Sequence, residues 1–214
     1  MQLSRRGDEF SIRISGYVSE LMNSRVHGSE EALADLGCAS VAGRPGCRVL
    51  VGGLGMGFTL AAALRALGPD AEVVVAELVP GVVEWNEGPL GACADYPLRD
   101  PRTRVEVGDV GGLIRAARER FDAVLLDVDN GPQGMTHPEN DWLYSVPGLA
   151  ATARALRPRG MLAVWSVEPD PAFSRRLREA GFGVQTRTVR ARPGKGARHT
   201  IWLARRGSGA SGPG

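Results

Sequence analysis

From Val49 to Phe58 the chain reads Val-Leu-Val-Gly-Gly-Leu-Gly-Met-Gly-Phe, an apolar run that empties into glycines just before a helical pattern. Glycines at such a turn let the backbone approach a ligand closely, and the helix that follows offers unpaired N–H groups. The dinucleotide fingerprint GxGxxG needs a small third residue for helix–strand contact. Counted from Gly53 that position is Phe58, and counted from Gly55 it is Leu60, so the fingerprint fails in both registers. This argues against a nicotinamide oxidoreductase. What remains, Gly53-x-Gly55-x-Gly57, is the spacing of a loop that holds S-adenosylmethionine.

Three carboxylates sit where they could complete such a pocket. Glu77 closes the apolar run Glu72–Glu77, 22 residues beyond Gly55, where an acid can accept both hydroxyls of a ribose. Asp109 follows Arg104–Gly108 and could accept from an adenine amino group. Asp127 closes Asp122–Asp127 and would face the same crevice. In an open α/β sheet that crevice, beyond the strand ends, is where ligands bind. The plainer reading is that all three are polar exits from buried strands.

The elements that must position them alternate. Cys47–Gly52, Glu72–Glu77, Arg104–Gly108, Asp122–Asp127 and Met161–Ser166 read as strands. Thr59–Leu67, Gly81–Asn86, Leu113–Arg120, Asn140–Leu156 and Pro171–Ala180 read as helices. Strands that are continuously apolar are covered on both faces, and the alternation predicts a doubly wound α/β sheet, mostly parallel. Gly183–Arg190 and Thr200–Arg205 flank a Gly/Pro loop and form an antiparallel hairpin at one edge. Glu9–Ile14 and Tyr17–Met22 flank Ser15-Gly16 as a second hairpin, and Ser29 would cap a helix through Leu36. The expected organisation is a hairpin-and-helix appendage over residues 1–40, a main domain over 41–206 and a disordered tail over 207–214.

Composition excludes several classes. The 214 residues are 43% hydrophobic and 23% charged, with a net charge of +2, enough for one domain and too little charge to mark a nucleic-acid binder. The basic groups are uneven, since Arg187–Arg206 holds seven Lys or Arg and no acid; this is read as a solvated hairpin. No apolar run is long enough for a membrane span. The three cysteines, Cys38, Cys47 and Cys93, have no CxxC spacing and point to reduced thiols of a cytoplasm. No His/Asp/Glu spacing suggests a metal. Tyr144, Trp142 and Cys93 read as core or loop residues, His137 as a loop residue and His199 as a strand-edge residue.

The run VLVGGLGMG, the strand-end Glu77, the segment Asp100–Asp109 and the segment Phe121–Pro132 together resemble the spermidine synthase family, over roughly residues 24–168. That resemblance implies a Rossmann-like class I methyltransferase fold with a seven-stranded sheet, binding S-adenosylmethionine or its decarboxylated form. Matched position by position, it implies cofactor contacts at Gly53, Gly55, Gly57, Glu77 and Asp109, and Leu54, Leu78, Val110 and Asp127 are expected to contact the cofactor beside them. The resemblance matches Asp127 to the family's catalytic loop and His27 to the His of its Tyr-His-Glu segment, so Asp127, Asp129, Asn130 and His27 are the expected catalytic residues, with Tyr144 and His27 as candidate lid groups. The departures bear on the reaction. Met56 stands where the family's aminopropyltransferases carry an Asp for the donor's amine, and Asn130 replaces a second loop Asp. Val26 and Gly28 replace the Tyr and Glu that flank the family's His. A cationic acceptor in a partly dry pocket needs carboxylates as counter-charges. The expectation is therefore methyl transfer to a small-molecule acceptor, an amine among the candidates, with Asp127 as base or acceptor-orienting group. Aminopropyl transfer through Asp127, Asp129 and Asp141 or Glu168 is one alternative, and a binding module without catalysis is another. Among assemblies, a homodimer is the commonest for such folds.

Overall fold

Val49, Val51, Val73 and Val75 point into one buried cluster, and Leu50, Val74 and Ala76 into a second. This two-residue alternation is the pleat of strands covered on both faces. The computed structural model describes residues 1–13, 20–128, 131–132, 141–192 and 195–208.

Three short strands come first: β1 (Gln2–Arg6), β2 (Glu9–Arg13) and β3 (Glu20–Asn23), joined as a small antiparallel sheet. Then follow α1 (Gly28–Cys38), β4 (Arg48–Gly52), α2 (Phe58–Ala66), β5 (Glu72–Glu77), α3 (Pro80–Glu87), β6 (Thr103–Val107), α4 (Val110–Ala116) and β7 (Phe121–Leu126). The chain continues through α5 (Asp141–Tyr144), α6 (Val146–Ala155), β8 (Leu156–Ser166), α7 (Pro171–Glu179), β9 (Phe182–Arg192) and β10 (Lys195–Arg206). Among the described residues seven strands form the main sheet, in the order β6-β5-β4-β7-β8-β10-β9. β10 runs antiparallel to both of its neighbours, and the other ladders are parallel. The doubly wound sheet with its closing hairpin is the one expected.

Sequence order reverses between β4 and β7, which makes the ends of these strands the switch point of the fold. The register aligns them: Gly52 pairs with Ala76 on one side and with Leu126 on the other. The exits toward Gly53, Glu77 and Asp127 therefore lie at one level.

One face of the sheet is covered by α1, α2 and α3, through Leu33, Leu60 and Val82. The other is covered by α4, α6 and α7, through Ile114, Leu149 and Phe173. Each fully buried Leu or Phe of this kind contributes roughly 1.5–3 kcal/mol. A third cluster joins the small sheet to the glycine turn, with Phe10 and Ile12 packed against Met56 and Phe58. Among the described residues no helix is long and apolar enough to cross a membrane.

Several local expectations change. The N-terminal segment has β1 in addition to the expected strand pair, with Arg6 opposite Glu9 across the turn at Gly7. The turn at Ser15-Gly16 lies outside the described residues. The helix assigned to the appendage packs into the main core through Leu33, Ala34 and Cys38, so packing does not change near residue 40. Ser29 does not cap that helix: His27 holds the N-cap position, and Ser29 is buried within the first turn. The fourth helix starts at Val110 because Asp109 caps it, accepting from Gly111 and Gly112. The long helix over Asn140–Leu156 divides where Ser145 caps α6, with Pro147 in its first turn. Gly207 and Ser208 follow β10, and the rest of the expected disordered tail lies outside the described residues.

Candidate active site

A cavity of about 190 Å³ opens at the switch point, walled by the glycine turn, the exits of β5, β6 and β7, and residues of β3, α1 and β8. Gly53 takes φ +89°, and a Cβ there would lie 2.4 Å from the backbone oxygen of Asp127. Any side chain would push the exits of β4 and β7 apart. Gly57, at φ +85°, occupies the N-cap of α2 in the left-handed region, a conformation that costs other residues energy. Asn86, buried beneath the turn, donates from Nδ2 to the carbonyl of Gly55 at 2.9 Å.

Glu77 is 8% exposed and holds this turn to the next strand exit. Its Oε2 accepts from the Leu54 N–H and its Oε1 from the Val79 N–H, each at 2.9 Å. An ionised carboxylate has about four acceptor sites, so both oxygens keep capacity for a ligand's hydroxyls. Leu54, Leu78 and Val110 line the same space. Asp109 lines it too, but its carboxylate also caps α4 and pairs with Arg115 at 2.9 Å.

Asp127 receives a 2.6 Å hydrogen bond from the Thr59 hydroxyl. Burial and then the facing charge of Glu30 push its carboxyl up to about 7, against the opposing effect of the Thr59 bond. Glu30, in the first turn of α1, lines the same cavity and is itself raised, chiefly by burial. Its Oε2 accepts from Ser29 Oγ at 2.6 Å. Two carboxylates thus face one space with no cation between them among the described residues. Desolvation with like-charge repulsion favours holding a proton near neutrality and welcomes a positive ligand.

Glu30, Thr59 and Trp165 were not legible from the sequence. Glu30-Glu31 looks like an ordinary acidic helix start, and only the docking of α1 on α2 turns one of the pair inward. Trp165 lines the cavity, with its indole N–H buried and without a hydrogen-bond partner. Met22 and Ile12 add an apolar wall from the small sheet, as does Met56 from the glycine turn.

Other sequence candidates fall elsewhere. His27 stacks on Phe58 with centroids 4.2 Å apart and Nδ1 3.5 Å from Glu31; it is not among the cavity's lining residues. Tyr144 is buried, its hydroxyl donating to the Val128 carbonyl at 3.3 Å. Glu168 is exposed. Asp129, Asn130, His137 and the Asp141 side chain lie outside the described residues. Burial pushes the thiols of Cys38 and Cys47 up to about 12 and about 11, which makes them inert packing groups. Among the described residues no group of three or more His, Cys, Asp or Glu is placed to hold a metal.

The sheet order, the glycine turn and the strand-end acids define the Rossmann-like class I methyltransferase fold. A crystallised O-methyltransferase, TomG of Streptomyces achromogenes in complex with SAM, is 18% identical with a TM-score of 0.57 over 84% of this chain and 79% of its own. Within that fold the chain is similar to polyamine aminopropyltransferases and spermidine synthases. It is 30% identical over 192 residues to the polyamine aminopropyltransferase of Mycobacterium tuberculosis (strain H37Rv), matching 85% of this chain and 35% of that protein. A spermidine synthase in complex with the transition-state analogue AdoDATO is similar with a TM-score of 0.68 and 18% identity, over 89% of this chain and 63% of that one. The chain spans about a third of the length of the curated relative it matches. No family model matches it.

Proposed function

We propose that this chain binds a sulfonium nucleoside of the S-adenosylmethionine class and transfers an aminopropyl group from the decarboxylated form to a polyamine. The observation that carries this reading is the pair of carboxylates, Glu30 and Asp127, on the wall of the cavity that also holds the glycine turn and Glu77. The name of the curated relative supports it over methyl transfer. The cavity suits the nucleoside: bare backbone at Gly53, acceptor capacity left on Glu77, and apolar walls at Leu54, Leu78 and Val110.

When bound, the sulfonium supplies its own leaving group, a neutral thioether. What remains for the protein is to orient the acceptor and remove its proton. Glu30 and Asp127 would hold an ammonium group, and Asp127, poised near neutrality, would take a proton from it. Asp129 and Asn130 keep the acceptor-loop roles the resemblance implies. Methyl transfer is the second reading, favoured by Met56, an apolar lining residue only 3% exposed where the resemblance implies an aspartate for the donor's amine.

Calorimetry with S-adenosylmethionine, its decarboxylated form and methylthioadenosine, followed by product analysis with putrescine, separates the two readings. The expected result is at least about tenfold tighter binding of the decarboxylated donor, a difference of ~1.4 kcal/mol, and aminopropylation of the diamine. Preference for S-adenosylmethionine with methylated product would establish the second reading, and failure to bind any of the three would remove both.

A further inference from the structure

Ser29 is fully buried, and its hydroxyl stands between two ionisable groups. Its Oγ donates to Glu30 Oε2 at 2.6 Å and lies 2.9 Å from Nδ1 of His199 on β10. A hydroxyl has one proton to give. While Ser29 gives it to a charged Glu30, Nδ1 of His199 must be the donor and carry the ring's proton. When Glu30 holds a proton of its own, the chain runs the other way: Glu30 donates to Ser29, Ser29 donates to Nδ1, and the ring's proton sits on Nε2.

We propose that Glu30, Ser29 and His199 form a relay through which a proton taken up by the cavity's carboxylates leaves the molecule at the edge hairpin. The proposal rests on the reading of this cavity as a place where an acceptor gives up a proton. The step balances: the proton on Glu30 Oε2 passes to Ser29 Oγ, the Ser29 proton passes to His199 Nδ1, and the Nε2 proton passes to water. The serine ends neutral, the imidazole neutral and the carboxylate charged, ready for the next proton.

The surroundings suit such a relay. His199 packs edge-on against Trp165, with ring centroids 4.7 Å apart, and Trp165 lines the cavity. Burial lowers the affinity of the His199 ring for a second proton, so its two neutral forms are the ones exchanged. The other charged groups acting on Glu30 are Asp127 across the cavity and His27 and Glu31 on α1. Val189 lies opposite His199 on β9 and brings no charge. Glu30 faces the acceptor directly, and Ser29 and His199 are positioning residues that act through it.

The test reads the tautomer and not turnover. In the ¹⁵N-labelled full chain, long-range imidazole spectra resolve three histidines, and His199→Gln identifies the signals of His199. The expected result is an exchange from the Nδ1–H to the Nε2–H form as pH falls and Glu30 takes up a proton. In Ser29→Ala and in Glu30→Gln that exchange is lost while the spectra remain those of a folded protein. A wild-type tautomer that stays constant with pH, or one that changes equally in Ser29→Ala, would overturn the relay. Absence of any transfer activity in the wild-type chain would count against the transferase reading alone, with the tautomer measurement still deciding the relay.

Discussion

Strand β7 meets an aspartate at each end, and the two have opposite surroundings. Asp122, 1% exposed, accepts from Arg44 at 2.8 Å, from Arg157 at 2.6 Å and from the Arg48 N–H at 2.9 Å. It ties the loop after α1 and the first part of β8 to the base of the sheet. Asp127, six residues from the start of the strand, has one hydroxyl donor and a second carboxylate facing it. A carboxylate surrounded by donors stabilises the fold, whereas one that is buried and opposed by like charge stores an unmet demand for a proton or a cation. The contrast between a saturated base and an unsaturated top supports the proposal that the chemistry takes place at the Asp127 end of the sheet.

Three outcomes test that contrast. The largest is expected for Asp127→Asn, which should lower transfer rate by about 10²–10⁴-fold, the usual worth of a positioned base, with donor affinity measured by calorimetry unchanged. Full activity in that variant would remove Asp127 from the mechanism. Asp122→Ala should instead leave donor binding intact and lower stability in urea unfolding by about 3 kcal/mol, since it removes the buried acceptor of the Arg48 N–H and of two half-exposed arginines. A drop below about 0.5 kcal/mol would show that the arginines simply turn to solvent.

The smallest effect is the pH dependence of stability. Asp127 titrates at about 7 in the folded chain against a usual 3.8, so the folded state binds its proton more tightly than the unfolded state does. That contribution is complete below about pH 4 and is lost as pH rises through about 7. Glu30, raised in the same direction, adds to it. Asp127→Asn should therefore unfold with a flatter pH profile, gaining about 2 kcal/mol on the wild type between pH 5 and pH 8. Parallel profiles for the two proteins would show that Asp127 is charged in the folded chain throughout this range.

Much of the frame was legible because its signals are local. Glu72–Glu77 is a strand over the very residues that the apolar run marks, and the glycine turn follows β4 as its spacing implies. Helix starts were harder. Asp109 lines the cavity as a strand-end acid and also caps α4, because its carboxylate lies within reach of two N–H groups in the next turn. Ser29 reads as a cap but is a buried bridge between Glu30 and His199, the latter 170 residues from Ser29 in sequence. No short-range pattern distinguishes the two uses of a serine near a helix start.

The sequence by itself determined the doubly wound sheet, the bare turn at Gly53–Gly57 and the placing of Glu77 and Asp127 at strand ends. Each of these follows from backbone conformation and from the two-residue and 3.6-residue periods of burial. Only the tertiary structure decided that Glu30 would face Asp127, that Thr59 and Trp165 would wall the cavity, and that His27 would stack on Phe58. Those side chains come together from α1, α2 and β8 when helices dock on the sheet. A carboxyl's proton affinity depends on the water it has lost and the charges it meets there, which its neighbours in the chain do not specify.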